Sequence, residues 1–241
     1  MQVSTQSRFA AKLSSALFLS LVSGGWLAAQ DSGGTTKENL DLPYDAIGNN
    51  EDEEDAPEVV SFYGSTLEGD GFFYILDNST TMQQGEIGIA KREVVKNIGE
   101  FSDKVNFGVF FFAKDLKKFP TSGQPAEANP GMKSSAISWI NSQGASSGTC
   151  GIAAITAALN MANQCPSKRK VIVYLSDGGG TCPGAGEEAD YLRQEIASAS
   201  AQNWQRVQIN TIGVLAMEAL QEKFMKDLAA SNGGSYTRIS R

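Results

Sequence analysis

The chain contains no histidine, only three cysteines and only seven prolines among its 241 residues. The absence of histidine excludes Ser-His-Asp and Cys-His catalysis, zinc sites of the H-E-x-x-H type, and an imidazole general base near neutral pH. No G-x-x-x-x-G-K-[ST] motif occurs, and we expect no nucleotide ligand. Any chemistry must therefore come from carboxylates, hydroxyls, Lys and Arg, or a hard metal held by oxygen atoms.

Basic residues are also scarce, with 20 Lys and Arg against 27 Asp and Glu, and the net charge is −7. The excess lies in residues 31–58, which hold ten acids against Lys37, whereas residues 59–241 hold 17 of each sign. Because attraction to phosphate needs clustered Lys and Arg, nucleic acid is not an expected partner. The polar, acidic composition of 31–58 predicts a disordered linker.

Residues 1–30 have the pattern of an export signal. Arg8 and Lys12 precede the apolar stretch LSSALFLSLVSGGWLAA, and cleavage is predicted near Ala28 or Ala29. Serines and paired glycines make the stretch a poor spanning helix, although an uncleaved N-terminal anchor stays an alternative. The pattern predicts an exported protein of the periplasm, the cell envelope or the medium, with membrane contact only through such an anchor.

From residue 59 onward, short apolar runs alternate with amphipathic helical segments. This alternation predicts one α/β domain over 59–241, with a doubly wound, mainly parallel central sheet, helices on both faces and one short antiparallel edge strand. The predicted strands cover residues 59–64, 72–77, 105–112, 117–119, 170–176, 207–214 and 235–240. The apolar stripes of the predicted helices begin at Ile87, Ile152, Leu192 and Met217.

Ligands of such sheets collect beyond the carboxyl ends of the strands. The strand over 72–77 runs into the sequence Asp-Asn-Ser-Thr-Thr, the strand over 170–176 runs into Asp-Gly, and a Ser-Gly-Thr segment precedes a helix. This order brings two carboxylates and three hydroxyls to one rim, and such a set suits Mg²⁺ or Mn²⁺. The candidate metal ligands are Asp77, Ser79, Thr81, Thr149 and Asp177. Taken singly, each of them could instead form a turn or cap a helix.

The five positions together resemble the metal-ion-dependent adhesion site of the von Willebrand factor type A family, written Asp-x-Ser-x-Ser, then a distant Thr, then Asp-Gly. Thr81 stands where the family has its last Ser, and it keeps the hydroxyl. The resemblance covers residues 59–241, including GTCGIAAITAAL and VIVYLSDGG, and the closing segment looks like that of bacterial members. It implies a Rossmann-like domain that is not an enzyme and whose metal recruits an acidic side chain of a partner protein.

The resemblance also implies that the three hydroxyls bind the metal directly and the carboxylates directly or through water. Rim loops over 113–133, 145–149 and 178–187 would then select the partner. The alternative function is a Mg²⁺-dependent phosphoryl-transfer hydrolase of the haloacid-dehalogenase type, which also places an Asp after its first strand. That family needs a second Asp two residues later, where this chain has Ser79.

The three cysteines divide between the two ends of the predicted sheet. Cys150 follows Thr149 directly, and Cys182 lies five residues after Asp177, so both should be on the rim of the metal site. Cys165 follows the helix and should lie at the opposite end. Because export permits disulfides, Cys150 and Cys182 are the possible pair, and three reduced thiols remain the alternative.

Overall fold

The computed structural model of the chain describes residues 56–83, 85–178, 182, 186–214 and 217–239. The predicted export signal over 1–30 and nearly all of the predicted linker over 31–58 lie outside the described residues. Most of the predicted rim loop over 178–187 lies outside them as well.

Within the described residues, the chain from residue 71 onward forms strands interspersed with helices. The strands are β1 (Glu58–Phe62), β2 (Ser65–Gly69), β3 (Gly71–Asp77), β4 (Asn106–Phe112), β5 (Leu116–Phe119), β6 (Ala126–Glu127), β7 (Lys170–Ser176), β8 (Gln208–Val214) and β9 (Tyr236–Ile239). The α-helices are α1 (Glu86–Glu100), α2 (Pro130–Ser142), α3 (Gly151–Gln164), α4 (Glu188–Gln202) and α5 (Ala219–Ser231), and a 3₁₀ helix spans Thr80–Gln83.

The central sheet has the strand order β5-β4-β3-β7-β8-β9. Strands β4, β3, β7, β8 and β9 pair in parallel, while β5 pairs antiparallel with β4 at the edge, and the two-residue β6 also pairs with β4. The prediction of an α/β fold with a mainly parallel sheet and a short antiparallel edge strand is therefore confirmed.

Helices cover both faces of this sheet, and consecutive residues of its inner strands are therefore buried on opposite sides. In β3, Phe72 and Tyr74 pack with α1, α2 and the β1–β2 hairpin, whereas Phe73 and Ile75 pack with α3, α4 and α5. All seven residues of β3 are buried. This explains why the sequence of β3 shows no alternation of apolar and polar residues, as is usual for central parallel strands.

After β3, the chain first adds strands on one side of β3 and later adds strands on its other side. The chain passes from β3 to β4 on one side of the sheet, while β7 lies on the other side of β3. Crossover helices leave on opposite faces at such a point, and a crevice opens beyond the carboxyl ends of the two strands. Asp77 is the last residue of β3 and Ser176 the last residue of β7, so both residues border this crevice.

Two parts of the fold differ from the sequence-based expectation. The predicted loop over 113–133 is wrong in its last part, because α2 begins at Pro130 after Asn129, whose side chain accepts a 2.9 Å hydrogen bond from the Met132 N–H. An Asn cap followed by Pro is a helix-start signal that could have been recognised. The strand predicted over 59–64 is β1, which pairs with β2 in a separate antiparallel hairpin and not in the central sheet.

The helices are 13 to 15 residues long. α5 begins with a capping box, in which the side chains of Glu218 and Gln221 each bond the backbone of the other residue. No helix in the described ranges combines the length and the apolar character that a membrane span requires.

Candidate metal centre

The first loop of the candidate site begins where β3 ends. Asp77 and Ser79 are buried, and Thr81 is exposed. The Ser79 N–H donates a 2.8 Å hydrogen bond to Oδ1 of Asp77, which closes a tight turn directly after the strand. Ser79 Oγ lies 2.9 Å from Thr81 Oγ1. The structure therefore brings the carboxylate and the two hydroxyls of this loop together at the mouth of the crevice.

The carboxylate of Asp77 has no exposed surface. Burial raises its pKa from 3.8 to about 6, although hydrogen bonds from Ser79 and Ser176 oppose the rise, and the negative charge of Asp177 adds to it. A buried carboxylate without a cation beside it is costly, because burial penalises the charged form.

The second loop, which carries Thr149, is held against the ends of β3 and β4. Ser146 donates its N–H to the Asn78 carbonyl at 2.9 Å and forms a parallel bridge with Ser79. The Cys150 N–H donates to the Ala113 carbonyl at 2.9 Å. These bonds place half-buried Thr149 between two anchored positions on the rim. Gly148 has a φ of +85°, a conformation that glycine adopts without steric cost.

The third loop begins after β7 with half-buried Asp177. Ser176 Oγ donates a 2.7 Å hydrogen bond to Oδ2 of Asp77. The same hydroxyl oxygen lies 3.0 Å from the Gly178 carbonyl oxygen and accepts from the Gly178 N–H at 3.2 Å. Ser176 thus joins the third loop to the first, a role that the sequence analysis missed. Its position as the last strand residue before Asp-Gly was the available signal.

A disulfide joins the second loop to the third. Cys150 and Cys182 are bonded, with their Cα atoms 4.6 Å apart, although 32 positions separate them in the sequence. Cys165, at the far end of α3, is a buried free thiol. The alternative of three reduced thiols is therefore not what the structure contains.

The donor set decides which metal these residues could hold. Asp77 and Asp177 supply carboxylate oxygens, and Ser79, Thr81 and Thr149 supply neutral hydroxyls, all of them hard oxygen donors. In the part of the chain that the structure describes, no group of three or more His, Cys, Asp or Glu side chains could hold a metal ion. The residues fit Mg²⁺ or Mn²⁺, which prefer oxygen and tolerate water in the remaining positions.

An α/β sheet with hydroxyl-rich loops at its switch point defines a class of domain, and comparison with known sequences identifies it. The profile of the von Willebrand factor type A domain matches residues 73–240. The chain therefore belongs to the von Willebrand factor type A family. This membership gives no support to the alternative of a haloacid-dehalogenase hydrolase. A comparison with curated proteins finds no match.

Solved structures show the same fold. A von Willebrand factor type A protein from Catenulispora acidiphila superposes with a TM-score of 0.59 at 19% identity, over 73% of this chain and 40% of the other. The pilus adhesin SpaC from Lactobacillus rhamnosus GG gives 0.55 at 13% identity, over 70% and 28%. The PilB minor pilin from Streptococcus sanguinis gives 0.53 at 14% identity, over 72% and 57%. The chain thus spans between 28% and 57% of the length of these proteins.

Proposed function

We propose that this domain is a metal-dependent protein-binding module without enzymatic activity. Its metal ligands would be Asp77, Ser79, Thr81, Thr149 and Asp177. One observation carries the proposal: the buried carboxylate of Asp77, at the end of a central strand, lies beside the hydroxyl pair of Ser79 and Thr81. A bound Mg²⁺ or Mn²⁺ would supply an open coordination position for an oxygen atom from outside the chain.

The residues around the proposed metal have different roles. Asp77 accepts hydrogen bonds on both carboxylate oxygens, from the Ser79 N–H and the Ser176 hydroxyl, so its orientation is fixed before a cation arrives. Thr81 is exposed and lies at the outer side of the site. Because three of the five donors are neutral, they do not cancel the charge of a divalent cation, and attraction remains for an acidic side chain of a partner.

The rim beside the second loop also suits an acidic partner. Lys114 is exposed and donates its backbone N–H to the Ser147 carbonyl at 2.9 Å. Its backbone lies close to Gly148: a Cβ atom built on the glycine would lie 3.1 Å from the Lys114 Cβ and 3.3 Å from its Cα. A lysine on this rim adds positive charge, which favours approach of an acidic partner.

We propose an extracellular or cell-envelope location for the protein. The positively charged start and apolar middle of residues 1–30 support export. Two of the structures with the same fold are a pilus adhesin and a minor pilin, which agrees with this proposal. The acidic segment 31–58 would then separate the binding domain from its point of exit or anchorage.

The experiment is affinity capture from an envelope extract with the full chain as bait, in Mg²⁺ and again with a chelator. The partner should be recovered only in Mg²⁺, and Thr149→Ala should lose it, whereas Thr66→Ala, which removes an exposed hydroxyl of β2 outside the rim loops, should retain it. Equal recovery by the wild type with and without metal would mean that binding uses another surface and would overturn the proposal.

A further inference from the structure

A buried acid lies behind the second loop and takes no part in the proposed metal set. Glu195, on the inner side of α4, is 3% exposed. Burial raises its pKa to about 7, against hydrogen bonds from Tyr191 and from the Ile152 backbone. The Tyr191 hydroxyl donates to Oε1 of Glu195 at 2.6 Å. A carboxyl kept inside the protein with two dedicated donors needs an explanation, because its burial costs stability.

The contact with Ile152 places Glu195 at the start of α3. Cys150, the N-cap residue of that helix, makes no side-chain capping bond. The Ile152 N–H is one of the free donors that every helix start presents, and the carboxyl of Glu195 lies near enough for this N–H to lower its pKa. A negative charge at this end of a helix is favourable. Glu195, which belongs to α4, therefore stabilises the start of α3 in place of a capping side chain. This helix start is the turn that directly follows Thr149.

Tyr191 connects the same carboxyl to the disulfide. Its hydroxyl oxygen lies 2.6 Å from Cys182 Sγ and 2.6 Å from Glu195 Oε1. Because Cys182 is bonded to Cys150, it carries no thiol proton, and the hydroxyl proton is directed to Glu195. The hydroxyl oxygen lies directly beside the disulfide sulfur. Tyr191 consequently sets the position of the crosslink whose other end is the neighbour of Thr149.

The space between this cluster and Asp77 is filled by one more ring. The hydroxyl of Tyr174 approaches the start of α3 so closely that a Cβ atom on Gly151 would lie 2.6 Å from it. The pKa of Tyr174 is raised by burial and then by the negative charges of Glu195 and Asp77, so both acids act on this one hydroxyl. Tyr174 therefore lies between the buried pair and Asp77, beside the start of α3.

We infer that Tyr191 and Glu195 are positioning residues of the metal centre, holding Thr149 at the metal through the Cys150–Cys182 crosslink and the first turn of α3. This inference rests on the proposed function. Neither residue touches the metal: Tyr191 acts through its contact with the disulfide, and Glu195 acts through its bond with Tyr191 and its place beside the start of α3. Groups that orient the direct ligands of a metal commonly change its affinity by 10- to 100-fold. Loss of the Tyr191 hydroxyl should weaken metal binding by about tenfold.

The first test compares Mn²⁺ affinity in Tyr191→Phe and in Tyr74→Phe, both in the full chain. The control also removes one hydroxyl from a hydrogen bond, at 3.1 Å from Asn97, but on the opposite face of the sheet from α4. Calorimetric titration should show a dissociation constant about tenfold higher for Tyr191→Phe and unchanged for Tyr74→Phe. If the wild type binds Mn²⁺ and Tyr191→Phe binds it equally well, the inference is overturned and the proposed function stands.

A second measurement needs no metal. Hydrogen exchange in chelator should be faster in Tyr191→Phe than in the wild type over residues 150–152, because the bonds that protect these amides lose their support. Exchange over α5 should stay the same. Unchanged exchange at 150–152 overturns the inference even if metal affinity falls. Absence of Mn²⁺ binding by the wild type overturns the proposed function and the metal role of the pair, whatever the exchange result.

Discussion

The hydroxyl of Ser176, the last residue of β7, donates a 2.7 Å hydrogen bond to Asp77, the last residue of β3. This bond crosses the switch point of the sheet and ties the first and third loops of the candidate metal centre together. It holds one oxygen of Asp77 while the Ser79 N–H holds the other. The orientation of the buried carboxylate thus depends on a residue that is not itself a proposed ligand.

Ser176→Ala should weaken Mg²⁺ binding without unfolding the domain. The change removes one hydrogen bond to a charged group, worth about 1.5 to 3 kcal/mol, and leaves Asp77 free to turn. We expect the dissociation constant to rise by about tenfold in a calorimetric titration. Ser135→Ala is the matched control, since it removes an exposed hydroxyl bonded to the Gly131 carbonyl in α2. Equal weakening in both variants would show that the effect is not specific to Ser176.

The pKa of Glu195 predicts how stability depends on pH in the metal-free protein. The folded state raises this pKa from 4.5 to about 7, so in that interval the folded chain keeps a proton that the unfolded chain has lost. The contribution to stability is complete near pH 4.5 and is lost as the pH rises through about 7. Urea unfolding in chelator should show Glu195→Gln gaining on the wild type over this interval. Glu100→Gln, at the exposed end of α1, should show no such gain.

Two glycines in helices should respond to alanine in opposite ways. At Gly151 a Cβ atom would lie 2.6 Å from the buried Tyr174 hydroxyl, so Gly151→Ala should destabilise the domain by about 1 to 3 kcal/mol. At Gly99, in α1, a Cβ atom would meet nothing within 4 Å, and Gly99→Ala should stabilise by about 0.5 to 1 kcal/mol. Thermal unfolding measures both changes. A neutral Gly151→Ala would contradict the close packing of α3 on β7.

The disulfide should leave one thiol and contribute to stability. Thiol counting on the unreduced, denatured protein should give a single thiol, that of Cys165. A crosslink between positions 32 apart should contribute about 3 to 4 kcal/mol by restricting the unfolded chain. The double variant Cys150→Ser, Cys182→Ser should lose about this amount, whereas Cys165→Ser leaves the crosslink in place. A count of three thiols would contradict the crosslinked structure.

Much of the fold could be predicted because the local patterns agree with it. The apolar runs of β3, β4, β7 and β8 and the stripes of four helices gave the sheet class directly. By contrast, α2 was missed because its apolar positions lie within a stretch rich in Gly, Ser and Pro. The hairpin pairing of β1 was missed because the sequence of a single strand does not show which strand it pairs with.

In the candidate site, too, some residues could be predicted from the sequence and others could not. The side chains of Asp77, Ser79 and Thr81 lie within five positions, and their grouping follows from the loop that ends β3. The position of Ser176 before Asp-Gly was a local signal, but its bond to Asp77 depends on β7 lying beside β3. The contributions of Tyr191 and Glu195 could not be foreseen, because they depend on which helix covers α3. Contacts between distant segments are fixed by packing and leave no local pattern in the sequence.

The Asp77→Asn variant tests separately how much the buried charge destabilises the metal-free fold and whether that charge is needed for metal binding. The pKa of Asp77, raised from 3.8 to about 6, means that the charge costs the metal-free fold on the order of 3 kcal/mol near pH 7. In the variant, the amide oxygen can still accept from the Ser79 N–H. The amide NH₂ can donate to the Ser176 hydroxyl, which then donates to the Gly178 carbonyl. The metal-free variant should melt at least as high as the wild type.

The most direct measurement is a calorimetric titration of Mg²⁺ or Mn²⁺ into the full chain and into Asp77→Asn. The account predicts that the wild type binds one metal ion per chain and melts higher in its presence, because a ligand of the native state stabilises that state. It predicts no binding by the variant, with its metal-free stability intact. Absence of binding by the wild type at millimolar metal, or equal binding by both proteins, would contradict the account.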